Sequence, residues 1–393
     1  MTVTHQYLAF FRRGDRKIIA ALLLWLIFIA LVLTSEWRNY SADETTSVAR
    51  IYWETAEQWM AGEDIYGQGA YGFLYLPATT VLLVPFRLLP AVVFEVVARV
   101  VLGMVLAHAT WRLTRMVSDR KRGTYFIFLS VAAILFGWAA FRLGQFSGLM
   151  LAFMVYGTVD LNNRHWWRTT LWLSAAVAVK PLAIVYVLLV GVLYPQMSWR
   201  LLIGFIAVLI LPFFAQSPGY VLESYGAFFS KMSGISDSAT EARHFRQIFR
   251  VTEKLGLELS SLTQWAIRLV AGAATLGLGY LAILKKNRVR ATVTVLSLSV
   301  LYLLLFNPRT EGNTYVIFLP VTLFAAWALW EDRRKGEGII VLILMVLLCL
   351  SYELAGGKDH VLKPALCLAV FCYVIFDIVM RGQDISIESA DRS

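Results

Sequence analysis

Between residues 17 and 380 the chain alternates apolar runs long enough to cross a bilayer with shorter polar connections. The runs fall at roughly 18–34, 91–112, 124–141, 146–160, 168–180, 182–194, 200–216, 264–284, 291–306, 314–330, 338–355 and 362–380. This pattern predicts about twelve crossings with both termini on one side. The pair at 168–194 is short for two spans, and Lys180-Pro181 at its middle predicts a broken helix pair with its tip near the outer face. The segment 73–90 is apolar but interrupted by Pro77, Pro85 and Pro90 and carries Arg87. It predicts a re-entrant or interfacial hairpin. A full crossing there would move Arg112, Arg115, Arg120, Lys121 and Arg122 outside, against the cytoplasmic bias of Lys and Arg.

With that topology, Arg164/Arg168, Lys285/Lys286/Arg288/Arg290 and Arg333/Arg334/Lys335 all face inside. Arg12, Arg13, Arg16 and Lys17 precede the first run and no small-residue cleavage pattern follows it, so an uncleaved first span with its N-terminus inside is expected. The first outer loop, 35–72, contains a helical pattern. Val48, Ile51, Tyr52, Trp59 and Met60 recur on one face, Gly62 ends it, and aromatic residues on the apolar side suit a helix lying in the membrane interface. Ser41 and Glu44 have the spacing of a capping box that would open this helix. A second outer loop, 217–263, is expected to be partly helical, and residues 385–393 form an acidic cytoplasmic tail. No fixed-period repeat or soluble domain is visible, so residues 1–384 are expected to form a single transmembrane domain.

Composition sharpens the class. The chain is 59% hydrophobic and only 16% charged, with a mean hydropathy of +0.65. That identifies an all-α, polytopic transmembrane bundle of about twelve spans, with a re-entrant hairpin and an outer interfacial helix. The net charge of +10 reflects Lys and Arg kept in cytoplasmic loops and does not call for nucleic acid. Cys349, Cys367 and Cys372 all lie in apolar runs, as packed small hydrophobes do.

Chemistry is expected where polar residues meet the outer boundary, because ionisable groups there are costly to place. Five segments meet it: the first loop with Asp43, Glu44, Arg50, Tyr52, Glu54, Asp64 and Tyr66; the hairpin with Tyr75 and Pro77; Arg142 to Gln145; Lys180-Pro181; and Asn307-Pro308-Arg309-Thr310-Glu311-Gly312-Asn313-Thr314-Tyr315. Each has a plainer reading beside the functional one. Lys180 snorkels, Arg142 anchors to lipid phosphates, Glu44 caps a helix, and Glu54 and Glu57 are a solvated helix face. The run Arg243-His244-Phe245-Arg246 is either an outer loop or a lid that meets an anionic substrate. No Walker loop, dinucleotide fingerprint or His/Cys cluster with zinc spacing occurs.

In order along the chain stand Met60-Ala61-Gly62-Glu63-Asp64-Ile65-Tyr66, Tyr75-Leu76-Pro77, Gly144-Gln145, Lys180-Pro181 after small apolar residues, and Pro308-Arg309-Thr310-Glu311-Gly312-Asn313-Thr314-Tyr315. This ordered set resembles glycosyltransferase family 87, membrane enzymes of the GT-C fold. The resemblance implies transfer of a sugar, mannose most commonly, from a polyprenyl-phosphate donor to an extracytoplasmic lipid or glycan acceptor, with inversion. It implies a plasma-membrane location and an active site on the outer face. Family members carry an Asp before the Tyr of the first-loop helix; aligned on Gly62, that position is Val48. The catalytic role therefore passes to the neighbouring pair Asp43 and Glu44. Arg142, Lys180 and Arg309 are expected to bind the donor phosphate. Tyr52, Glu54, Tyr66, Tyr75, Gln145, Glu311, Asn313 and Tyr315 are expected to bind sugar and acceptor. No cofactor is required, although some GT-C enzymes use a divalent metal.

Two other classes suit the same features. A transporter or flippase for a lipid-linked sugar also has broken helices and buried charge, but here the ionisable residues gather on one face and no inverted repeat is visible. A membrane protein that binds lipid-linked sugar without chemistry would fit Val48 at the family's Asp position.

Overall fold

The computed structural model describes residues 13–41, 47–67, 72–234, 245–355 and 361–381. Among these the chain is helical throughout and forms no strand. Helix α1 is Arg13–Ser41, α2 Val48–Ala61, α3 Pro77–Leu83, α4 Ala91–Val117, α5 Arg122–Arg142, α6 Ser147–Asn162, α7 Trp166–Val179, α8 Ile184–Leu193 and α9 Pro195–Ile210. The stretch after α9 contributes α10, Pro218–Gly234, and α11, Phe249–Lys254. The remaining helices are α12 Ser261–Lys285, α13 Arg288–Phe306, α14 Leu323–Trp330, α15 Lys335–Leu354 and α16 Leu362–Met380, with a 3₁₀ helix at Gly312–Thr322 running into α14.

Nine helices among the described residues are long and apolar enough to cross a membrane: α1, α4, α5, α9 with its extension to Phe214, α12, α13, Gly312–Trp330, α15 and α16. The protein is a multi-pass membrane protein. The runs expected at 146–160, 168–180 and 182–194 form shorter helices of 16, 14 and 10 residues. At 1.5 Å per residue, α7 is about 21 Å long, less than a hydrocarbon core of about 30 Å. Such short helices are tolerated where protein, not lipid, surrounds them. α6 is buried on almost every side by α4, α7, α13 and the 3₁₀ helix. α13 and Gly312–Trp330 are likewise enclosed, while α1, α9, α12 and α15 present apolar faces outward. Apolar residues on all sides therefore mark the centre of the bundle in α6 and α13, and one-sided burial marks its rim.

The segment 73–90 is fastened to its neighbours by side-chain contacts. Pro77–Leu88 is too short to cross. Thr79 Oγ1 donates to the Ala178 carbonyl at 2.6 Å, and the Trp53 indole of α2 donates to the Leu89 carbonyl at 3.0 Å. The Arg87 guanidinium lies over Trp53, 3.7 Å from the ring centroid, and pairs with Glu57.

Two boundaries differ from expectation. α1 continues to Ser41, and α2 starts at Val48 with Ser47 before it, so Ser41 closes one helix and opens none. The buried face of α2 is Ala49, Tyr52, Thr55, Ala56 and Trp59, while Met60 is exposed. Gly62 does end the helix, with φ +72°. Its amide bonds Trp59 O at 3.2 Å and that of Glu63 bonds Gln58 O at 2.9 Å, a left-handed glycine stop.

The two ends of the bundle carry different chemistry. At one end, basic residues are tied across helices. Lys121 bonds Trp330 O and Glu331; Lys286 pairs with Asp377 at 3.2 Å; Arg334 reaches Asp377 at 3.0 Å; and Arg112 and Arg168 converge on buried Asp160 at 3.1 and 3.3 Å. The opposite end holds α2, the hairpin and the breaks at 143–147, Lys180 and 307–312.

Candidate active site

The floor of this second end is set by Arg99 of α4, whose side chain is only 2% exposed. Its guanidinium donates to Glu36 at 3.0 Å, to Ser47 Oγ at 3.0 Å, to the Arg142 carbonyl at 2.8 Å, and to the Glu95 carbonyl and carboxylate at 3.0 and 3.4 Å. One planar fork thus joins α1, the entry to α2, α4 and the end of α5, with its donors satisfied and its charge matched by carboxylates. The amides of Val48 and Ala49 complete the join on the Leu143 carbonyl, at 2.9 and 3.3 Å. Gly144 makes this possible. Its φ is +64°, and a Cβ there would lie 2.7 Å from the Ala49 Cβ.

Docked in this way, α2 turns Tyr52 inward. Its hydroxyl and that of Tyr75 are 2.6 Å apart, and its ring lies 4.2 Å from Phe146 by centroid. The Tyr66 hydroxyl donates to the Tyr75 carbonyl at 2.7 Å. Burial pushes all three phenols above their usual range, reinforced at Tyr52 by Tyr75. They are neutral hydrogen-bonding groups at physiological pH. They form a shared aromatic wall under the site, committed to one another.

Beside this wall runs a polar chain built from three distant breaks. Gln145 Nε2 donates to Glu311 Oε2 at 3.1 Å, the Ser147 hydroxyl donates to Gln145 Oε1 at 2.9 Å, and the Lys180 ammonium donates to Ser147 Oγ at 2.7 Å. Lys180 stands between α7 and the 3₁₀ turn at Pro181–Ala183, in extended conformation at φ −152°. Burial lowers its ammonium to about 8; Glu311 opposes this shift and Arg309 adds to it. Glu311 is 30% exposed and lies 3.6 Å from the Arg309 guanidinium. Arg309 also sits over Phe245, 5.4 Å from the ring centroid. The Arg246 amide bonds the Thr310 carbonyl at 2.7 Å, and its guanidinium lies close against Gly312. Phe245 and Arg246 therefore pack directly on 307–312. Next to Glu311, the buried Asn313 Oδ1 has no hydrogen-bond partner among the described residues. Tyr315 is buried beneath Lys363, whose ammonium is 4.9 Å from the ring centroid.

The structure thus gathers Tyr52, Tyr66, Tyr75, Gln145, Lys180, Arg309, Glu311 and Asn313 at one end. It does not bring in the Arg142 side chain, which is exposed; the carbonyl of that residue is what the fold uses. Glu54 sits on the half-exposed face of α2, paired with Arg50 at 3.0 Å. Asp43, Glu44, Arg243, His244 and the tail 385–393 lie outside the described residues. Arg99 and Ser147 have no counterpart among the sequence candidates. Arg99 carried a usable signal, a lone arginine within an apolar run. Among the described residues no group of three or more His, Cys, Asp or Glu has the geometry to hold a metal ion.

The sequence model of glycosyltransferase family 87 matches residues 73–308. No curated protein and no solved structure matches the chain.

Proposed function

The chain belongs to glycosyltransferase family 87, and from that premise we propose that it moves a sugar, mannose-like, from a polyprenyl-phosphate donor to a lipid or glycan acceptor on the outer face of the plasma membrane. It is a glycosyltransferase and a membrane protein; the donor, acceptor and orientation are our reading. One observation carries it. The hydrogen-bonded chain Glu311–Gln145–Ser147–Lys180, beside Arg309, assembles cations and polar acceptors at the end of the bundle opposite its Lys/Arg-rich loops. A lipid-phosphate donor keeps its tail in the bilayer and its phosphate at that level.

In this reading the twelve apolar segments are all threaded through the membrane, the short ones included. The hairpin at 73–90 is re-entrant and both termini are cytoplasmic. Lys180 and Arg309 hold the phosphate, with Arg142 at the rim. A first-loop carboxylate, Asp43 or Glu44, takes the acceptor hydroxyl proton as the oxygen attacks the anomeric carbon. The bond from that carbon to the phosphate oxygen breaks, and the electron pair leaves with the phosphate. A single displacement inverts the anomeric centre. Glu311, Asn313, Tyr315 and Gln145 orient sugar hydroxyls over the wall of Tyr52, Tyr66 and Tyr75, and Glu54 meets the acceptor at the outer edge.

The test is a transfer assay with purified protein, radiolabelled polyprenyl-phosphate mannose and a mixed bacterial lipid extract, using wild type, Asp43→Asn, Glu44→Gln and Lys180→Ala. We expect label in a new lipid or glycan with wild type, turnover abolished by one acid variant, and weakened donor use by Lys180→Ala. Wild type that transfers no label from any polyprenyl-phosphate sugar would refute the reading.

A further inference from the structure

Lys231 has no role in the reaction as described above. It stands near the end of α10, and its ammonium donates to the Tyr66 carbonyl at 2.8 Å. The Phe228 ring lies 6.0 Å from that of Tyr66 by centroid. Earlier in the same region, Gln216 Nε2 donates to Trp59 O at 2.6 Å and the Tyr220 hydroxyl to Glu63 O at 2.6 Å. α10 is therefore fastened along the first loop from Trp59 to Tyr66, which aligns Lys231 with the wall under the site. The amine is partly buried. It lies within electrostatic reach of Arg309, which disfavours its charge, and of Asp64, which favours it. Arg309 is in turn within reach of Lys180.

Three cations on three elements are thus linked by electrostatic reach, Lys231 to Arg309 and Arg309 to Lys180. Against them stand Glu311, next to Arg309, and Asp64, which is exposed and accepts the Tyr66 amide at 2.8 Å. Like charges drawn together in a partly desolvated place disfavour one another until an anion lies between them. We propose that Lys231 is the third cation of the phosphate site and acts on the leaving phosphate. This rests on the polyprenyl-phosphate reading above.

Charge balance says when Lys231 matters. A polyprenyl-phosphate sugar is a phosphodiester with one negative charge. Once the sugar–oxygen bond breaks and its electron pair stays on the phosphate oxygen, the product is a monoester dianion, while the acceptor's proton is on the base. Lys180 and Arg309, opposed by Glu311, balance the diester. Lys231 faces the second charge, which appears only as the bond breaks; its acidic neighbour Asp64 is exposed and screened by water, so it offsets the ammonium only in part. Lys231 therefore stabilises the transition state more than the bound donor.

The experiment measures binding of a short-chain prenyl phosphate and of its methyl diester to the purified full-length protein at neutral pH, for wild type, Lys231→Arg and Lys231→Gln. Glutamine retains a donor for the Tyr66 carbonyl, so the α10 contact survives while the charge is lost. Losing one charge-assisted contact predicts that Lys231→Gln weakens monoester binding by about tenfold or more and leaves the diester nearly unchanged. Lys231→Arg keeps the preference. In turnover, Lys231→Gln lowers kcat more than it raises donor KM. Equal binding of both esters by wild type and Lys231→Gln would overturn the assignment and leave the donor reading standing. An equal loss of both with a lowered melting temperature would make Lys231 a structural staple and also overturn it. If wild type binds neither ester, the donor reading falls, and the role of Lys231 with it.

Discussion

At the scale of single residues, Lys180 is a cation whose surroundings work against its charge. Its ammonium is lowered to about 8 by burial, and its one neutral partner, the Ser147 hydroxyl, accepts at 2.7 Å. Below that value the amine is protonated and able to hold a phosphate; above it the charge is lost. Donor kcat/KM should therefore fall as pH rises through about 8, because that ratio reports ionisations of the free enzyme. Lys180→Arg, charged throughout, should abolish this alkaline limb even where it lowers the rate. A pH–rate profile of both proteins checks it, and an unchanged limb in the arginine variant would assign the ionisation to another group.

At the scale of elements, the site depends on α2 being seated against the α5–α6 turn. The seat has no side-chain cap; Ser47 instead accepts from Arg99. Its closest approach is at Gly144, where a methyl group would come within 2.7 Å of Ala49 Cβ on a backbone already at φ +64°. Gly144→Ala should cost about 1 kcal/mol from the left-handed backbone alone, plus the displacement of α2. We expect a large loss of transfer activity together with a drop in melting temperature, because the buried face of α2, Ala49, Tyr52, Ala56 and Trp59, is part of the hydrophobic core. Activity and thermal unfolding measured on one preparation test this; unimpaired transfer would show that the seat of α2 does not set the site. The three short helices α6, α7 and α8 matter in the same way. Their breaks, at Phe146 and Lys180, are what allow Ser147, Gln145 and Lys180 to meet.

At the scale of the whole molecule, the two ends of the bundle divide the work. At one end Arg112, Lys121, Arg290 and Arg334 pair with Asp160, Glu331, Asp332 and Asp377 in a network that crosses helices. The other end collects Lys180 and Arg309 near Glu311, with Lys231 within electrostatic reach of Arg309. From the bias of Lys and Arg we expect the first end in the cytoplasm. Reporter fusions should then show residues 255–260, between α11 and α12, on the outer side and the turn carrying Arg333 and Arg334 inside. An inverted result would move the site to the cytoplasmic face and exclude an extracytoplasmic acceptor.

The sequence by itself determined the helical class, the membrane setting and most of the helix positions, because long apolar runs bounded by Pro, Gly and charge leave few other ways to satisfy a backbone in lipid. It also singled out Gln145, Lys180, Arg309 and Glu311, since each is a polar residue at an apolar boundary, where placement is costly. Only the tertiary structure decided how they are joined. The bonds that make the site connect residues far apart in the chain, Lys180 to Ser147, Gln145 to Glu311 and Lys231 to Tyr66, and no local periodicity carries that information. The same holds for Arg99, whose worth lies in what four elements present to it, and for Arg142, where the side chain drew notice but the carbonyl does the binding. The capping spacing at Ser41 was overruled because continuing α1 and docking α2 on Leu143 satisfies more backbone groups than a local cap. Local pattern specifies which segments are helices; the meeting of their ends, set by packing and long-range hydrogen bonds, specifies what they can bind.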